Sequence, residues 1–108
     1  MATYSAQAIT TDGLVATVRN AASGDKITPD NNVIIRVTNA SGSDVDLTIS
    51  AYGTTRYGGA NQAKVITIAT ATTRVIPLSF PEYINPADNL ISLAWETTPS
   101  VTYTVERI

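Results

Sequence analysis

In the stretch VIIRVTN, Val33, Ile35 and Val37 fall on one side of an extended chain, and Arg36 and Thr38 fall on the other. The same alternation runs through DVDLTISAY, where Val45, Leu47, Ile49 and Ala51 interleave with Asp46, Thr48, Ser50 and Tyr52. A period of two marks a strand with one buried and one wet face. Toward the C-terminus NLISLAWE places Ile91, Leu93 and Trp95 together, and VTYTVERI does the same with Val101, Tyr103 and Val105, so both read as core strands. LVATVR at Leu14 to Arg19 predicts a further strand and YSAQAI at Tyr4 to Ile9 a weaker one. KVITIA from Lys64 and TTRVIPLSF from Thr72 complete about eight short strands, punctuated by turn signals at the spacing of a sandwich or closed barrel. No window carries a sustained helical stripe, which limits helix to a turn or two, placed at PEYINPAD from Pro81.

The connections carry their own signals. NASGSD, Asn39 to Asp44, reads as a hairpin loop between the two best-alternating strands, and TTPS, Thr97 to Ser100, as a short hairpin connection between the last two. Pro77 has no N–H to give a central ladder, so its strand is expected at a sheet edge or with a bulge there. AASGDKITPDNN (21–32) and GTTRYGGANQA (53–63) are long polar loops, of a length at which loops tend to be functional or mobile. The fold expected from this pattern is all-β: one antiparallel β-sandwich domain of jelly-roll or immunoglobulin-like kind spanning residues 1–108.

Composition supports strands. Seventeen Thr, eleven Ile and nine Val stand beside five Leu and one Met, and branching at Cβ suits a pleated surface better than a helix. A chain of 108 residues is one domain by length and buries roughly two-thirds of its unfolded surface, enough for a core without staples. Cysteine is absent, which excludes disulfides and thiolate chemistry. The longest aliphatic run is Val33-Ile34-Ile35, so neither a signal peptide nor a transmembrane span is expected and an intracellular origin is the default. Seven dispersed Lys and Arg against nine acids, net charge −2, form no basic stripe for nucleic acid. So weak a self-repulsion also suits a protein packed against others.

Histidine is absent too, removing the usual general base and the commonest metal ligand. Carboxylate pairs such as Glu82 with Glu96 or Asp44 with Asp46 exist in number only, and nothing in their spacing implies a cleft. Asp25, Asp30, Asn31 and Asn32 supply oxygens in one loop but lack the spacing of a calcium loop, and YGGAN lacks the residues of a phosphate loop. Asn39-Ala40-Ser41 matches a glycosylation sequon, which has meaning only on a secretory route. No catalytic, cofactor or metal site is assigned, and no enzyme is expected. The aromatics say more: Trp95 and Tyr103 belong to core faces, whereas Tyr4, Tyr52, Tyr57 and Tyr83 with Arg56 have the composition of a partner-binding set.

Two stretches, GDKITPDNNVIIRVTNASGSDVDLTIS and TTRVIPLSFPEYINPADNLISLAWETTPSVTYTVERI, together about two-thirds of the chain, resemble a family of small all-β proteins encoded among the structural genes of tailed bacteriophages. The resemblance rests on Gly24-Asp25, Asn39 to Gly42, Thr73-Arg74-Val75, Phe80-Pro81, Tyr83-Ile84-Asn85 and Arg107. The chain departs from the family pattern at Pro77 to Ser79, where a Gly-Pro step is expected, and in the longer Asn85 to Asp88 turn. The resemblance implies a non-enzymatic virion protein made in the host cytoplasm. It would decorate the outside of an assembled head and bridge major capsid subunits, preferably as a homotrimer, without nucleic acid or membrane contact. It leaves open a tail or head-to-tail completion protein, and a glycan-binding β-sandwich module remains a separate alternative.

Overall fold

The computed structural model describes residues 3–54 and 56–107. Ten strands form two packed sheets. In chain order they are β1 Thr3–Tyr4, β2 Gln7–Ala8, β3 Arg19–Asn20, β4 Lys26–Ile27, β5 Val33–Asn39, β6 Val45–Ile49, β7 Lys64–Ile68, β8 Thr72–Pro77, β9 Ile91–Trp95 and β10 Val101–Arg107. One sheet runs β1-β4-β9-β6-β7; the other runs β2-β10-β5-β8, with β3 also on β10. The all-β sandwich is as the alternation predicts, with one refinement. The sheets are mixed, because β1 pairs with β4 and β2 with β10 in parallel.

The inner faces are those the period of two selects. Val33, Ile35 and Val37 of β5 lie beside Val101, Tyr103 and Val105 of β10, through the register pairs Ile35 with Val105 and Val37 with Tyr103. Facing them are Val45, Leu47 and Ile49 of β6, Ile91 and Leu93 of β9, and Ile27 and Ile68, all buried. Burying about a dozen branched side chains between the sheets, each contributing roughly 1.5–3 kcal/mol, is the main stabilisation.

Two predicted hairpins are instead crossings. β5 and β6 belong to different sheets, as do β9 and β10, so the segments at 40–44 and 96–100 carry the chain over the sandwich end. The reason is that every one of these four strands has an apolar face and two better-placed ladder neighbours, β5 between β10 and β8 and β6 between β9 and β7. Among consecutive strands in the described residues, only β6 and β7 pair with each other.

The strand expected at Leu14 to Arg19 is also corrected, since only Arg19 joins a ladder. The chain enters this region on β2 and leaves it on β3, and both hold the same side of β10, at Glu106–Arg107 and at Thr102–Tyr103. The intervening residues must loop out, turning at Thr10 to Gly13, where Gly13 takes a φ of 81°. The weaker strand expected at Tyr4 to Ile9 divides into β1 and β2, one in each sheet.

Pro77 lies in β8, an edge strand as expected. The Leu78 N–H donates to the Val33 carbonyl at 2.9 Å, which makes Ile34–Pro77 the pair without mutual hydrogen bonds. The absent N–H therefore falls on the open side of the strand. Among the described residues the single helical turn, a 3-10 helix at Pro81–Tyr83, falls within PEYINPAD as predicted.

Candidate functional site

One end of the sandwich collects the long loops. β4, β6 and β8 end there and β5 and β9 begin there, as the register pairs Ile27 with Ile91, Ile49 with Leu93 and Ile34 with Pro77 require. The 28–32 loop, the 50–63 loop and the 78–90 corner are consequently neighbours. The Tyr52 N–H donates to the Glu82 carbonyl at 2.7 Å, tying the second of these to the third.

The 50–63 loop is closed by its own polar contacts. Asn61 donates its backbone N–H to the Gly53 carbonyl and its side-chain amide to the Tyr52 carbonyl, and Thr54 bridges Ala60. Arg56 and Tyr57 lie at the exposed tip, before a Gly58 with φ of 85°, and the Tyr57 side chain is 94% exposed. Of the five sequence-derived candidates, Tyr52 is bonded through its backbone to Glu82, the residue before Tyr83, and Arg56 and Tyr57 extend the same loop outward. Tyr83 is half-buried, edge-on to Phe80 at 5.7 Å, and burial, with the Glu82 charge second, raises its phenol pKa. Tyr4 lies apart from them, its ring 6.1 Å from Tyr103 and 4.5 Å from the Arg19 guanidinium, packed on the core margin.

A second exposed surface escaped the sequence reading. Val15 is 95% and Val18 63% exposed, while Leu14 and Ala16 are half-buried. Among the described residues the backbone groups of Leu14, Val15 and Ala16 take no hydrogen bond from the fold, and the segment is held by Gln7, whose side-chain Oε1 accepts from the Thr17 N–H at 2.7 Å. It thus has strand patterning without a strand partner. The signal was present in LVATVR, but alternation does not reveal whether a neighbour exists.

Two recesses accompany these surfaces. A cleft of about 400 Å³ opens between the 29–31 loop and the 78–89 corner, floored by Leu78 and Ile84. A smaller groove of about 250 Å³ lies on the outer face of the second sheet, between Ala16 and Val18 on one side and Arg36 and Glu106 on the other. There Glu106 is buried, receives Arg36 Nε at 3.1 Å and Thr104 Oγ1 at 2.7 Å. Burial pushes its carboxyl up, but the Thr104 and Arg36 hydrogen bonds outweigh that and hold it below the usual range.

Several other polar groups are spent on the fold. Asp25 is buried and accepts the Tyr103 hydroxyl at 2.8 Å and the Ala22 N–H at 3.0 Å, 78 residues separating the first pair. It therefore stands apart from Asp30, which pairs with Arg107 at 3.3 Å. Asp44 accepts the Thr70 N–H, Asp46 accepts the Thr67 hydroxyl, and Glu96 accepts the Asp46 N–H. Asn39, first residue of the sequon, is buried with its amide donating to the Ser43 and Ile68 carbonyls, so the folded chain presents no acceptor nitrogen there. Comparison with known proteins finds no matching family model, no matching curated protein and no matching solved structure.

Proposed function

We propose that the chain is a non-enzymatic virion protein of a tailed bacteriophage, a decoration protein that binds the outside of the assembled head and bridges major capsid subunits. The observation that carries this reading is the 14–18 segment, whose valines stand in solvent and whose backbone has no ladder. Exposed branched side chains on an unpaired strand-like segment are a liability in a free protein and an asset in an assembly, where a neighbour covers them. The Arg56–Tyr57 tip adds the residue types that anchor interfaces, and the resemblance noted in the sequence supplies the phage context.

The mechanism is multivalent clamping. A site made by two or three capsid subunits exists only in the lattice, so an oligomeric clamp, preferably a homotrimer at local three-fold positions, gains avidity there and binds free capsid protein poorly. Binding only the assembled form stabilises it by mass action. Neither nucleic acid nor membrane takes part, and synthesis in the host cytoplasm precedes attachment to the virion. The test is co-sedimentation with mature heads stripped of the protein, alongside unassembled capsid protein. Saturation at hundreds of copies on heads alone is expected; about a dozen copies would transfer the protein to a connector or tail, and no retention after washing would overturn the assignment.

A further inference from the structure

We infer that the cleft between the 29–31 loop and the 78–89 corner is a binding site for a neutral pyranose, as a free sugar or the terminal unit of a glycan. Its volume, about 400 Å³, lies within the range of small-molecule sites. Buried Leu78 and half-buried Ile84 offer an apolar floor, and Asn31, Ser79 and Asn89 line the polar part. The side chains of these three residues make no hydrogen bond within the described residues, unlike Asn39, Asn61 and Asn85, whose amides are all engaged. Two amides and a hydroxyl over aliphatic carbon form a pattern of neutral donors and acceptors beside a hydrophobic face. A pyranose presents its complement, adjacent hydroxyls around the rim and C–H groups on the ring face.

Charge narrows the ligand class. The cleft's Asp30 is bound to Arg107, and its Oδ1 accepts the Asn31 N–H at 2.8 Å, so the carboxylate is oriented and can still accept a hydroxyl. No unpaired cation stands among the lining residues to hold a phosphate or an acidic sugar, and one paired carboxylate is too little for a divalent ion.

The walls are preorganised. Asn89 sits at φ of 59°, its N–H donating to the Asn85 carbonyl at 2.7 Å, while Asp88 accepts the Leu90 N–H and pairs with Lys26 at 2.5 Å. Leu78, before Ser79, is pinned to Val33. A site so fixed loses little conformational freedom when filled. This inference does not depend on capsid attachment, since the cleft would serve a free protein or a decorated head alike.

The experiment is a titration of the isotope-labelled chain, followed by backbone amide NMR, with the methyl glycosides of glucose, galactose, mannose, rhamnose and N-acetylglucosamine. Inorganic phosphate and glucuronic acid are the charged comparisons. At least one neutral glycoside should give saturable shifts confined to 29–31, 78–84 and 89, with a millimolar dissociation constant typical of few-contact binding. Asn31→Ala and Asn89→Gly, the latter keeping the left-handed backbone accessible, should each weaken it by about tenfold with the rest of the spectrum unchanged. The inference is overturned if no glycoside saturates, if the shifts fall elsewhere, if they survive both substitutions, or if the charged compounds bind more tightly.

Discussion

Tyr103 shows how one residue serves two purposes. Its ring fills the core beside Trp95 at 5.3 Å, and its hydroxyl is the nearest donor to the buried Asp25 carboxylate. Tyr103→Phe keeps the ring and strips the donor, leaving that carboxylate with the Ala22 N–H as its remaining protein partner. A loss of about 2–3 kcal/mol is expected in urea unfolding at neutral pH, since a buried acceptor is left short of partners in the interior. Burial first and Asp25 second push the Tyr103 phenol well above its ordinary value. A raised folded pKa means the contribution is complete below the unfolded value, about 10, and is lost as pH climbs above it. The alkaline fall in stability should therefore be shallower in Tyr103→Phe, and an unchanged limb would show that other groups govern it. Glu106 acts in the opposite direction. Its lowered carboxyl contributes above the unfolded value of about 4.3 and the contribution disappears as pH falls through the lower folded value. Glu106→Gln should cost about 1 kcal/mol at pH 7, the half-exposed Arg36 moderating the effect, and the difference from the parent should shrink as acid protonates the folded carboxyl. At this scale the sequence identified Tyr103 as a core residue from its alternation. It could not identify Asp25, which stands in a polar loop and turns inward only because a partner far along the chain meets it.

Elements divide in the same way, with strands legible and partners not. Period-two alternation located β5, β6, β9 and β10 because burial of one face is a local property of the chain. Which strand sits beside which depends on both sheets at once, so NASGSD and TTPS looked like hairpin loops although each crosses the sandwich. Asn39 is the residue that makes the first crossing possible. Its side-chain amide donates to the Ser43 and Ile68 carbonyls, and its side-chain Oδ1 accepts the Ser41 N–H and hydroxyl, anchoring both the crossing and the end of β7. Asn39→Asp, nearly identical in shape, would set a carboxylate against two carbonyls; it should destabilise by about 2–4 kcal/mol at pH 7, and less at acid pH where the carboxyl can donate. Equal loss at both pH values would show that the donors do not matter. Pro77 was legible both as a device and in its place, because a missing N–H restricts a strand irrespective of tertiary context. Arg74 complements it across the gap between sheets, donating Nη1 to the Thr67 carbonyl on the edge strand β7 at 2.9 Å. Pro77→Thr restores an outward N–H on the open edge of β8. Folding stability should change by less than about 1 kcal/mol, while sedimentation velocity should reveal concentration-dependent self-association absent from the parent. A variant as monodisperse as the parent would show that this edge needs no such guard.

For the whole molecule the arrangement of ladders sets both how it folds and how it can bind. With β6–β7 the only pairing of consecutive strands among the described residues, the remaining ladders join distant segments, a topology that folds in milliseconds to seconds. All ladders share one core, so the two ends of the sandwich stay in fixed relation and the loop-rich end can present its surface as a rigid unit. A rigid end is what multivalent attachment requires. Tyr57 lies at its tip, 94% exposed, so Tyr57→Ala should leave thermal stability within about 1 °C, surface changes of this kind being nearly neutral. On the proposed decoration role, its effect on attachment to stripped heads should be far larger, and its size reads the valency. An interface tyrosine is worth about 1–2 kcal/mol, a factor near ten in one site. If three copies of the tip engage together, as a homotrimer on a three-fold position would, the three losses compound toward about a thousandfold, because each later contact is intramolecular. Retention by sedimentation, measured for parent and variant over a range of concentrations, gives the ratio directly. A loss near tenfold would mean that each molecule attaches through a single tip. Undiminished retention would remove the Arg56–Tyr57 tip from the attachment surface and leave the 14–18 segment to carry it.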